Sequence, residues 1–375
     1  MITAIDMVGT NQGSGTKTYN LNFCEYLHNQ NIKEKILIFI TNDYLKNMKF
    51  THKSNIHFII KPSFLKNIFF RMIWMQFFFP FELKKYNVGQ LFSPMNIGPV
   101  FIKLFGIKFV LGLHSNLPWV FFSKMPGNYI KKLITRYFMK ISIFNCDKLI
   151  VNSEFAKNEI IKLLNVDEKK IYTIYLGIDK KFLYGRKNEL YLKDIQYKDY
   201  VISVLSCARY HNIINLLKGF KLLQEENNID LKFIFVLQIL DKKYFDEIRK
   251  FVKSNFQKDE IVFLHNLDNN FLINLYKNAK FYIFSSYCEV FGLTTLEAMS
   301  QGCPVIISNK SALTEINSDV AEYFDPDNET KIKDSMHKVL FDENYRNKII
   351  EKSQNHFKKF SWEKTVSETL RVLDY

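Results

Sequence analysis

The sequence predicts an α/β protein made of two doubly wound parallel sheets, one in each half of the chain. Short apolar runs alternate with helical patterns along the chain, and this alternation occurs in two successive sets. The 375 residues also exceed the usual size of one domain. We expect the two domains to face each other across a cleft, the usual place for a ligand.

The first half is predicted to contain seven strands and four helices. The predicted strands are 1–8, 36–40, 56–60, 88–92, 108–113, 149–152 and 171–175, and the predicted helices are 17–30, 63–86, 124–145 and 154–164. A glycine-containing loop, residues 12–16, separates the first strand from the first helix. The carboxyl ends of parallel strands are where such folds bind ligands.

The second half repeats this scheme after a polar linker at 177–199. The predicted strands are 200–205, 232–237, 260–264, 281–284 and 304–307, with helices between them and a last helix beginning near Trp362. We therefore place an N-terminal domain at 1–178 and a C-terminal domain at 179–359.

Positive charge is concentrated in the first half. The net charge is +14, and residues 44–140 hold fifteen Lys and Arg residues but one acidic residue, Glu82. Such a basic surface suits contact with an anionic membrane, with nucleic acid or simply with solvent. No helix-turn-helix, RRM or zinc-finger spacing is present, so no nucleic-acid partner is expected.

The predicted helix at 63–86 has two interpretations that the sequence leaves open. It carries aromatic residues on more than one face together with Lys66, Lys84 and Lys85. It is either a cationic amphipathic helix that makes a peripheral contact with an anionic membrane or a core helix of the N-terminal domain.

Several classes of protein are excluded by simple patterns. The densest apolar stretch, 68–81, contains Arg71 and is too short to span a bilayer. The N-terminus lacks the basic start and apolar centre of a secretion signal, so a cytoplasmic location is expected. The five cysteines are scattered without a C-x-x-C pair, which argues against a disulfide framework or a structural zinc site.

The segment 285–326 is the most informative for chemistry. It follows an apolar strand and opens a helix at about Leu293, and a helix N-terminus suits a phosphate group. Gly292 lets the backbone approach a ligand closely, and Glu289 and Glu297 flank the turn. Taken alone, Thr294-x-x-Glu297 is equally well explained as a capping box.

The wider sequence around these residues resembles a known family. The run EVFGLTTLEAMSQGCPVIISN, residues 289–309, resembles the E-x7-E signature of family-4 retaining glycosyltransferases of the bacterial surface-polysaccharide type, which have the GT-B fold. The segments 146–179, 92–100 and 111–114 are also similar to that family. Gly13 and Gly15 stand where the family keeps a glycine-rich turn beneath the donor phosphate.

The resemblance implies roles for individual residues. Glu289 would bind hydroxyls of the transferred sugar, Glu297 would bind the ribose of the nucleotide, and His114 would contact the donor sugar. Backbone N–H groups would meet the sugar and the diphosphate at Phe291, Gly292, Leu293 and Thr294.

The sequence departs from the family at the expected phosphate-binding lysine. His211 stands just before Asn212 where relatives usually have Lys, and Arg209 lies two residues earlier. Because Arg is always charged and can bind phosphate through two hydrogen bonds, we hypothesise that Arg209 replaces the lysine with His211 assisting. The competing hypothesis is a weakened or lost donor site.

The implied activity is retaining transfer of a hexose-type sugar from a nucleotide-diphosphate donor to a growing cell-surface glycan such as lipopolysaccharide, O-antigen or capsule. The acceptor would be a glycan or a lipid-linked saccharide at the inner face of the cell membrane. Neither a metal nor another cofactor is expected. The helix at about 360–375 would cross back onto the N-terminal domain. A catalytically silent glycosyltransferase-like subunit and a sugar-nucleotide epimerase are the alternatives.

Overall fold

The computed structural model describes residues 1–9, 14–42, 54–184 and 199–375. The chain forms two compact units. The first unit comprises 1–119, 129–177 and 361–375, and the second comprises 120–128 and 178–360. The sequence did not predict that residues 120–128 group with the second unit.

The strands of the first unit are β1 (Ile2–Asp6), β2 (Ile36–Thr41), β3 (Ile56–Lys61), β4 (Val88–Ser93), β5 (Lys108–Leu113), β6 (Lys148–Val151) and β7 (Ile171–Thr173). They form one parallel sheet in the order β3-β2-β1-β4-β5-β6-β7. Ile5 is in register with Ile38 on one side and with Phe92 on the other. Every residue of β2 is buried, as expected for an apolar strand covered on both faces.

The strands of the second unit are β8 (Tyr200–Cys207), β9 (Lys232–Ile239), β10 (Ile261–Leu264), β11 (Tyr282–Phe284), β12 (Val305–Ser308) and β13 (Glu322–Phe324). They form a parallel sheet in the order β10-β9-β8-β11-β12-β13. The predicted doubly wound α/β architecture is therefore confirmed. The sequence missed β13, which has three residues and no apolar run.

The α-helices of the described residues are α1 (Ser14–His28), α2 (Ile68–Ile73), α3 (Phe79–Lys85), α4 (Leu117–Val120), α5 (Tyr129–Asn145), α6 (Glu154–Leu164), α7 (Lys180–Tyr184), α8 (Ile213–Asn227), α9 (Lys242–Asn255), α10 (Asn269–Asn278), α11 (Leu293–Ser300), α12 (Leu313–Asn317), α13 (Glu329–Phe341), α14 (Glu343–His356) and α15 (Trp362–Val372). Side chains of Ser153, Asp241, Asp268, Asn328 and Ser361 cap the N-termini of α6, α9, α10, α13 and α15. None of the helices in the described ranges is long and apolar enough to cross a membrane.

Three predicted helices differ from the observed ones. The first begins at Ser14 rather than at residue 17. The helix expected at 63–86 is divided into a 3-10 turn, α2, a π-helical turn at Trp74–Phe78 and α3. Pro80 has no backbone N–H, so it cannot donate the hydrogen bond that a continuous α-helix would need in this region. The helix expected at 124–145 begins at Tyr129, because Pro126 and Gly127 interrupt the pattern.

The last helix, α15, packs within the first unit although it follows the second unit in sequence. Trp362 is fully buried, and its ring lies 5.5 Å from that of Tyr19 on α1. A Cβ atom on Gly177 would lie 2.1 Å from the backbone nitrogen of Trp362, so only glycine fits there. The Thr365 hydroxyl donates a hydrogen bond to the Tyr175 carbonyl at 2.7 Å.

Candidate functional site

Each sheet has a point where the winding of the chain reverses, and these points define the candidate sites. In the second unit the chain runs outward from β8 through β9 to β10, and then outward on the other side from β11 to β13. The reversal therefore falls between β8 and β11. Ligands of doubly wound folds bind beyond the carboxyl ends of the strands at such a switch point.

The second unit brings several predicted site residues to its switch point. Arg209 and His211 follow β8, while Glu289 follows β11. The His211 Nδ1 atom lies 3.6 Å from the Glu289 Oε1 atom. The Ser285 hydroxyl donates a hydrogen bond to the His211 carbonyl at 2.6 Å, which holds the two loops together.

Helix α11 begins at this edge without a side-chain cap. Its N-cap is Gly292, whose φ of 92° favours glycine, and a Cβ atom there would lie 2.6 Å from the Leu313 Cδ2 atom. The Thr294 hydroxyl instead hydrogen-bonds the Tyr282 hydroxyl at 2.7 Å. The capping-box interpretation of Thr294 and Glu297 is therefore wrong, because Thr294 lies inside the helix. An uncapped helix start presents N–H groups to an anion.

Glu289 is a largely buried carboxyl group with weak compensation. Burial raises its pKa to about 7, and a hydrogen bond from the Ser286 hydroxyl at 3.2 Å opposes this only in part. At neutral pH the group therefore populates both its charged and its neutral form. It can accept and also donate hydrogen bonds, as the hydroxyl groups of a sugar require.

Glu297 lies one turn into α11 and has an even more perturbed carboxyl group. Burial raises its pKa to about 8, and the negative charge of Asp179 acts in the same direction. Asp179 precedes α7 in the same unit. Burial of a carboxyl group that is mostly neutral at pH 7 lowers the stability of the folded state. Such groups are concentrated at functional sites, which indicates a binding role for Glu297.

His211 is a buried neutral imidazole rather than a cation. Only 4% of its surface is exposed, and burial lowers its pKa to about 3. Its ring packs 4.2 Å from the ring of Tyr210. Within the described residues its Nδ1 atom has no hydrogen-bond partner. His211 therefore offers a ligand one hydrogen-bonding nitrogen and no fixed charge.

Arg209 carries the fixed positive charge after β8, but carboxylates hold it in this structure. Its Nη2 atom lies 2.5 Å from Glu247 Oε1, and its Nε atom lies 3.8 Å from Asp241 Oδ2. The guanidinium also stacks 5.0 Å from the centre of the Tyr244 ring. The expected contact of Arg209 with a diphosphate requires it to leave Glu247, and it stays a prediction.

Sequence reasoning missed a cation close to the loop that carries Glu289. Lys124, on the segment 120–128, lies 4.6 Å from the centre of the Tyr287 ring, two residues before Glu289. The Phe121 ring packs 5.8 Å from that of Tyr287. Nothing in the local sequence of residues 120–128 signals this contact, because it joins positions that are far apart in the chain.

In the first unit, His114 follows β5 and is held in a defined orientation. The Asn152 side chain lies 2.9 Å from its Nδ1 atom, which assigns the ring proton to Nε2 when the amide donates. The Tyr19 ring lies 4.4 Å away. Burial lowers the pKa of His114 to about 4, so the ring is neutral. Its Nε2 atom is buried with no partner within the described ranges, and it is free to donate to a ligand.

The structure describes only one of the two glycines that were predicted to lie beneath the donor phosphate. Gly15 lies in the first turn of α1 and a Cβ atom there would meet nothing within 4 Å. Its predicted role does not require glycine on steric grounds. Gly13 lies outside the described residues.

A buried ion pair marks the switch point of the first unit, between β1 and β4. Asp6 ends β1 and is fully buried, and its Oδ2 atom lies 3.4 Å from the Nη2 atom of Arg71 on α2. Burial raises the pKa of Asp6, while the Arg71 charge opposes that shift. The sequence hint of a buried ion pair was Arg71, because it is the one charged residue within the apolar stretch 68–81.

Two protein-family models match the chain, one in each half. A model described as Glycosyltransferase Family 4 matches residues 13–182, and one described as Glycosyl transferases group 1 matches residues 193–356. The chain is 29% identical over 204 residues to the O-antigen chain mannosyltransferase RfbU of Salmonella typhimurium, covering 54% of each chain. It is 27% identical over 230 residues to O-antigen chain mannosyltransferase B of Escherichia coli, covering 60% of each. The matched region thus spans little more than half the length of these relatives.

The fold agrees with a solved structure over nearly its whole length. The Anabaena protein Alr3699/HepE, crystallised in complex with UDP-glucose, superimposes with a TM-score of 0.73 at 12% identity, covering 99% of both chains. The two doubly wound sheets have the GT-B fold, and both matching models describe glycosyltransferases.

Proposed function

We propose that this protein is a glycosyltransferase that moves a hexose-type sugar from a nucleoside-diphosphate donor to a growing cell-surface glycan, with retention of anomeric configuration. The observation that carries the proposal is the pair of carboxyl groups, Glu289 and Glu297, at the start of α11 beside the switch point of the second unit. The likeness to two O-antigen chain mannosyltransferases supports mannose as the sugar and an O-antigen chain as the acceptor.

In this proposal the donor binds along the carboxyl edge of β8 and β11. Glu289 binds hydroxyls of the transferred sugar, and Glu297 binds the ribose. Backbone N–H groups of residues 291–294 meet the diphosphate, whose charge suits the positive end of α11. The structural likeness to HepE, which was crystallised with UDP-glucose, supports a nucleotide-sugar donor.

The proposed reaction needs no separate general base. The bond between the anomeric carbon and the diphosphate oxygen breaks while the acceptor hydroxyl attacks from the same face. The acceptor proton passes to the departing phosphate oxygen, so the atoms and charges balance. Positive charge near that oxygen lowers the barrier, and Arg209 supplies it after exchanging Glu247 for the diphosphate. His114 donates from Nε2 to the donor sugar.

The proposed acceptor is a lipid-linked saccharide at the inner face of the cell membrane. The assignment rests on the O-antigen relatives and on the basic, aromatic character of residues 44–140. It places the reaction where a soluble nucleotide sugar meets a membrane-bound substrate.

The test is turnover of a panel of UDP-, GDP- and dTDP-hexoses with a mannose-terminated lipid-linked saccharide. We expect one donor to release its nucleoside diphosphate, and NMR to show that the new glycosidic bond retains the donor configuration. The Glu289→Gln variant should lose at least about 100-fold in rate, as for removal of one key transition-state contact.

Three outcomes would contradict the proposal. Nucleotide binding without turnover would favour the silent subunit, and interconversion of the donor sugar without release of nucleoside diphosphate would favour the epimerase. An inverted product would overturn the retaining mechanism.

A further inference from the structure

Exposed apolar side chains are concentrated in one region of the first unit. Within the described residues, most of the large hydrophobic side chains that reach solvent lie between positions 60 and 145. The described part of the second unit exposes far fewer, namely Leu183, Ile239, Leu240 and Phe341. A concentration of exposed apolar side chains in one part of a folded protein marks an interaction site.

The region from α2 to α3 is apolar on both of its sides. Its inner side is buried and includes Trp74, Met75, Phe79 and Leu83. Its outer side exposes Phe69, Phe70, Phe77, Phe78 and Phe81, each by 47–65%. A helix that is apolar all round is normally buried all round, so the outer side lacks the covering that its composition requires.

Neighbouring segments extend this surface. The Gln76 side chain accepts a hydrogen bond from the Val100 N–H at 2.7 Å, and the Asn145 side chain donates to the Val100 carbonyl at 2.9 Å. These bonds place the turn at 98–105 between the π-helical turn and the end of α5. That turn exposes Phe101 and leaves Leu104 82% exposed. Helix α5 adds a further exposed row that includes Tyr129, Leu133 and Tyr137.

Basic residues lie on the same segments as the exposed rings. Lys84 and Lys85 end α3, Lys103 lies on the turn at 98–105, and Arg136 and Lys140 lie on α5. From residue 60 to residue 145 the sequence holds one acidic residue, Glu82, which pairs with Lys61. We call the outer side chains of 64–85, 98–105 and α5 the aromatic–basic face.

We propose that the aromatic–basic face docks on a bilayer that contains anionic phospholipids. Phenylalanine rings insert at the boundary between headgroups and acyl chains, and lysine and arginine side chains meet lipid phosphates. The same face of a second copy is a poor occupant, because a symmetric interface would oppose two strongly basic surfaces. The C-terminal half of another copy is also a poor occupant, since its residues 179–375 hold 29 basic and 28 acidic residues and offer no strong negative charge.

The test is flotation of the full chain with vesicles of phosphatidylcholine alone and of phosphatidylcholine with 30% phosphatidylglycerol. We expect binding to the anionic vesicles that is at least tenfold stronger than to the neutral ones. A Phe69→Ser, Phe77→Ser, Phe81→Ser variant should lose at least tenfold in affinity. The Phe341→Ser variant is the matched control, because it removes an exposed phenylalanine from the second unit.

A charge-reversal pair keeps the proposal testable if the triple variant fails to fold. Lys84→Glu with Lys85→Glu should weaken anionic-vesicle binding at least tenfold, whereas Lys242→Glu with Lys243→Glu, on exposed positions of α9, should not. Equal vesicle binding by the wild type and both face variants would overturn the proposal. A dimer in the wild type that becomes monomeric in the face variants would also overturn it, in favour of a second copy. The measurement uses no donor, so it is independent of the proposed activity.

Discussion

Two carboxyl groups of the second unit, Glu289 and Glu297, are held partly neutral at physiological pH, and each makes its own contribution to stability depend on pH. In the unfolded chain a glutamate releases its proton above about 4.5, whereas in the folded chain burial raises the pKa of Glu297 to about 8. Between these values the folded state binds more protons than the unfolded state. The contribution of Glu297 to the free energy of unfolding therefore falls as pH rises from about 4.5 to about 8.

Replacing Glu297 with Gln should remove this pH-dependent cost. At pH 8 we expect Glu297→Gln to raise the free energy of unfolding by on the order of 2 kcal/mol, with the difference shrinking towards pH 4.5. Urea unfolding at several pH values measures this. Glu225→Gln, at an exposed position of α8, is the control and should change stability little at any pH. A stability gain for Glu297→Gln that did not vary with pH would contradict a raised pKa of Glu297 in the folded state.

The buried pair of Asp6 and Arg71 should be strongly coupled. Arg71→Met leaves the Asp6 carboxyl group buried without its cation, which we expect to cost about 3 kcal/mol of unfolding free energy. Adding Asp6→Asn should recover at least about 1 kcal/mol of that loss. For comparison, Lys218→Met at the more exposed pair with Glu329 should cost less than about 1 kcal/mol. Simple additivity of the Asp6 and Arg71 changes would refute the coupling.

At the scale of elements, the start of α11 depends on a backbone conformation that only glycine adopts readily. Gly292→Ala introduces strain at a φ of 92° and also places a Cβ atom 2.6 Å from Leu313. Gly302→Ala introduces strain at a φ of 74° but meets no atom within 4 Å. We expect about 1 kcal/mol of destabilisation for Gly302→Ala and at least about 1 kcal/mol more for Gly292→Ala. Thermal unfolding of the two variants gives the comparison, and equal losses would argue against close packing at the helix start.

Most elements could be predicted from the sequence because their apolar patterns are local. The run ILIFIT became the fully buried strand β2, and the alternation of strands and helices gave both doubly wound sheets. Strand β13 was missed because three residues, of which Glu322 is charged, carry too little pattern. The helix expected at 63–86 was predicted as continuous, because its apolar pattern runs through Pro80, which has no N–H to continue the α-helical hydrogen bonds.

The contacts of the candidate site could be predicted only in part. The turn before α11 and the residues Glu289, Gly292 and Glu297 follow from a local pattern. The ion pair of Arg209 with Glu247 and the stacking of Lys124 on Tyr287 join positions distant in sequence, which no periodicity reports. Similarly, the sequence places His211 at the position of the usual lysine and gives it only a role that assists Arg209, whereas the burial that keeps His211 neutral depends on the tertiary fold.

At the scale of the whole molecule, α15 makes the first unit depend on the end of the chain. Trp362→Ala removes a fully buried indole beside Tyr19 and should cost about 3–5 kcal/mol of unfolding free energy. Hydrogen exchange should show faster exchange in β1 and α1, while β8 keeps its protection. Lys364→Ala, on the exposed side of α15, should leave both unchanged. Loss of protection in β8 as well would mean that the two units do not unfold separately.

The central claim is that the switch point between β8 and β11 binds a donor nucleotide, and nucleotide-dependent thermal unfolding tests it most directly. The measurement compares UDP, GDP, dTDP, ADP and CMP with the wild type and with the Glu297→Ala, Arg209→Ala and Glu225→Gln variants. We predict that one nucleotide stabilises the wild type, by about 2.7 kcal/mol at 100 times its dissociation constant. The first two variants should weaken this effect, and Glu225→Gln should preserve it. No stabilisation by any nucleotide at millimolar concentration, or equal stabilisation of all variants, would contradict the claim.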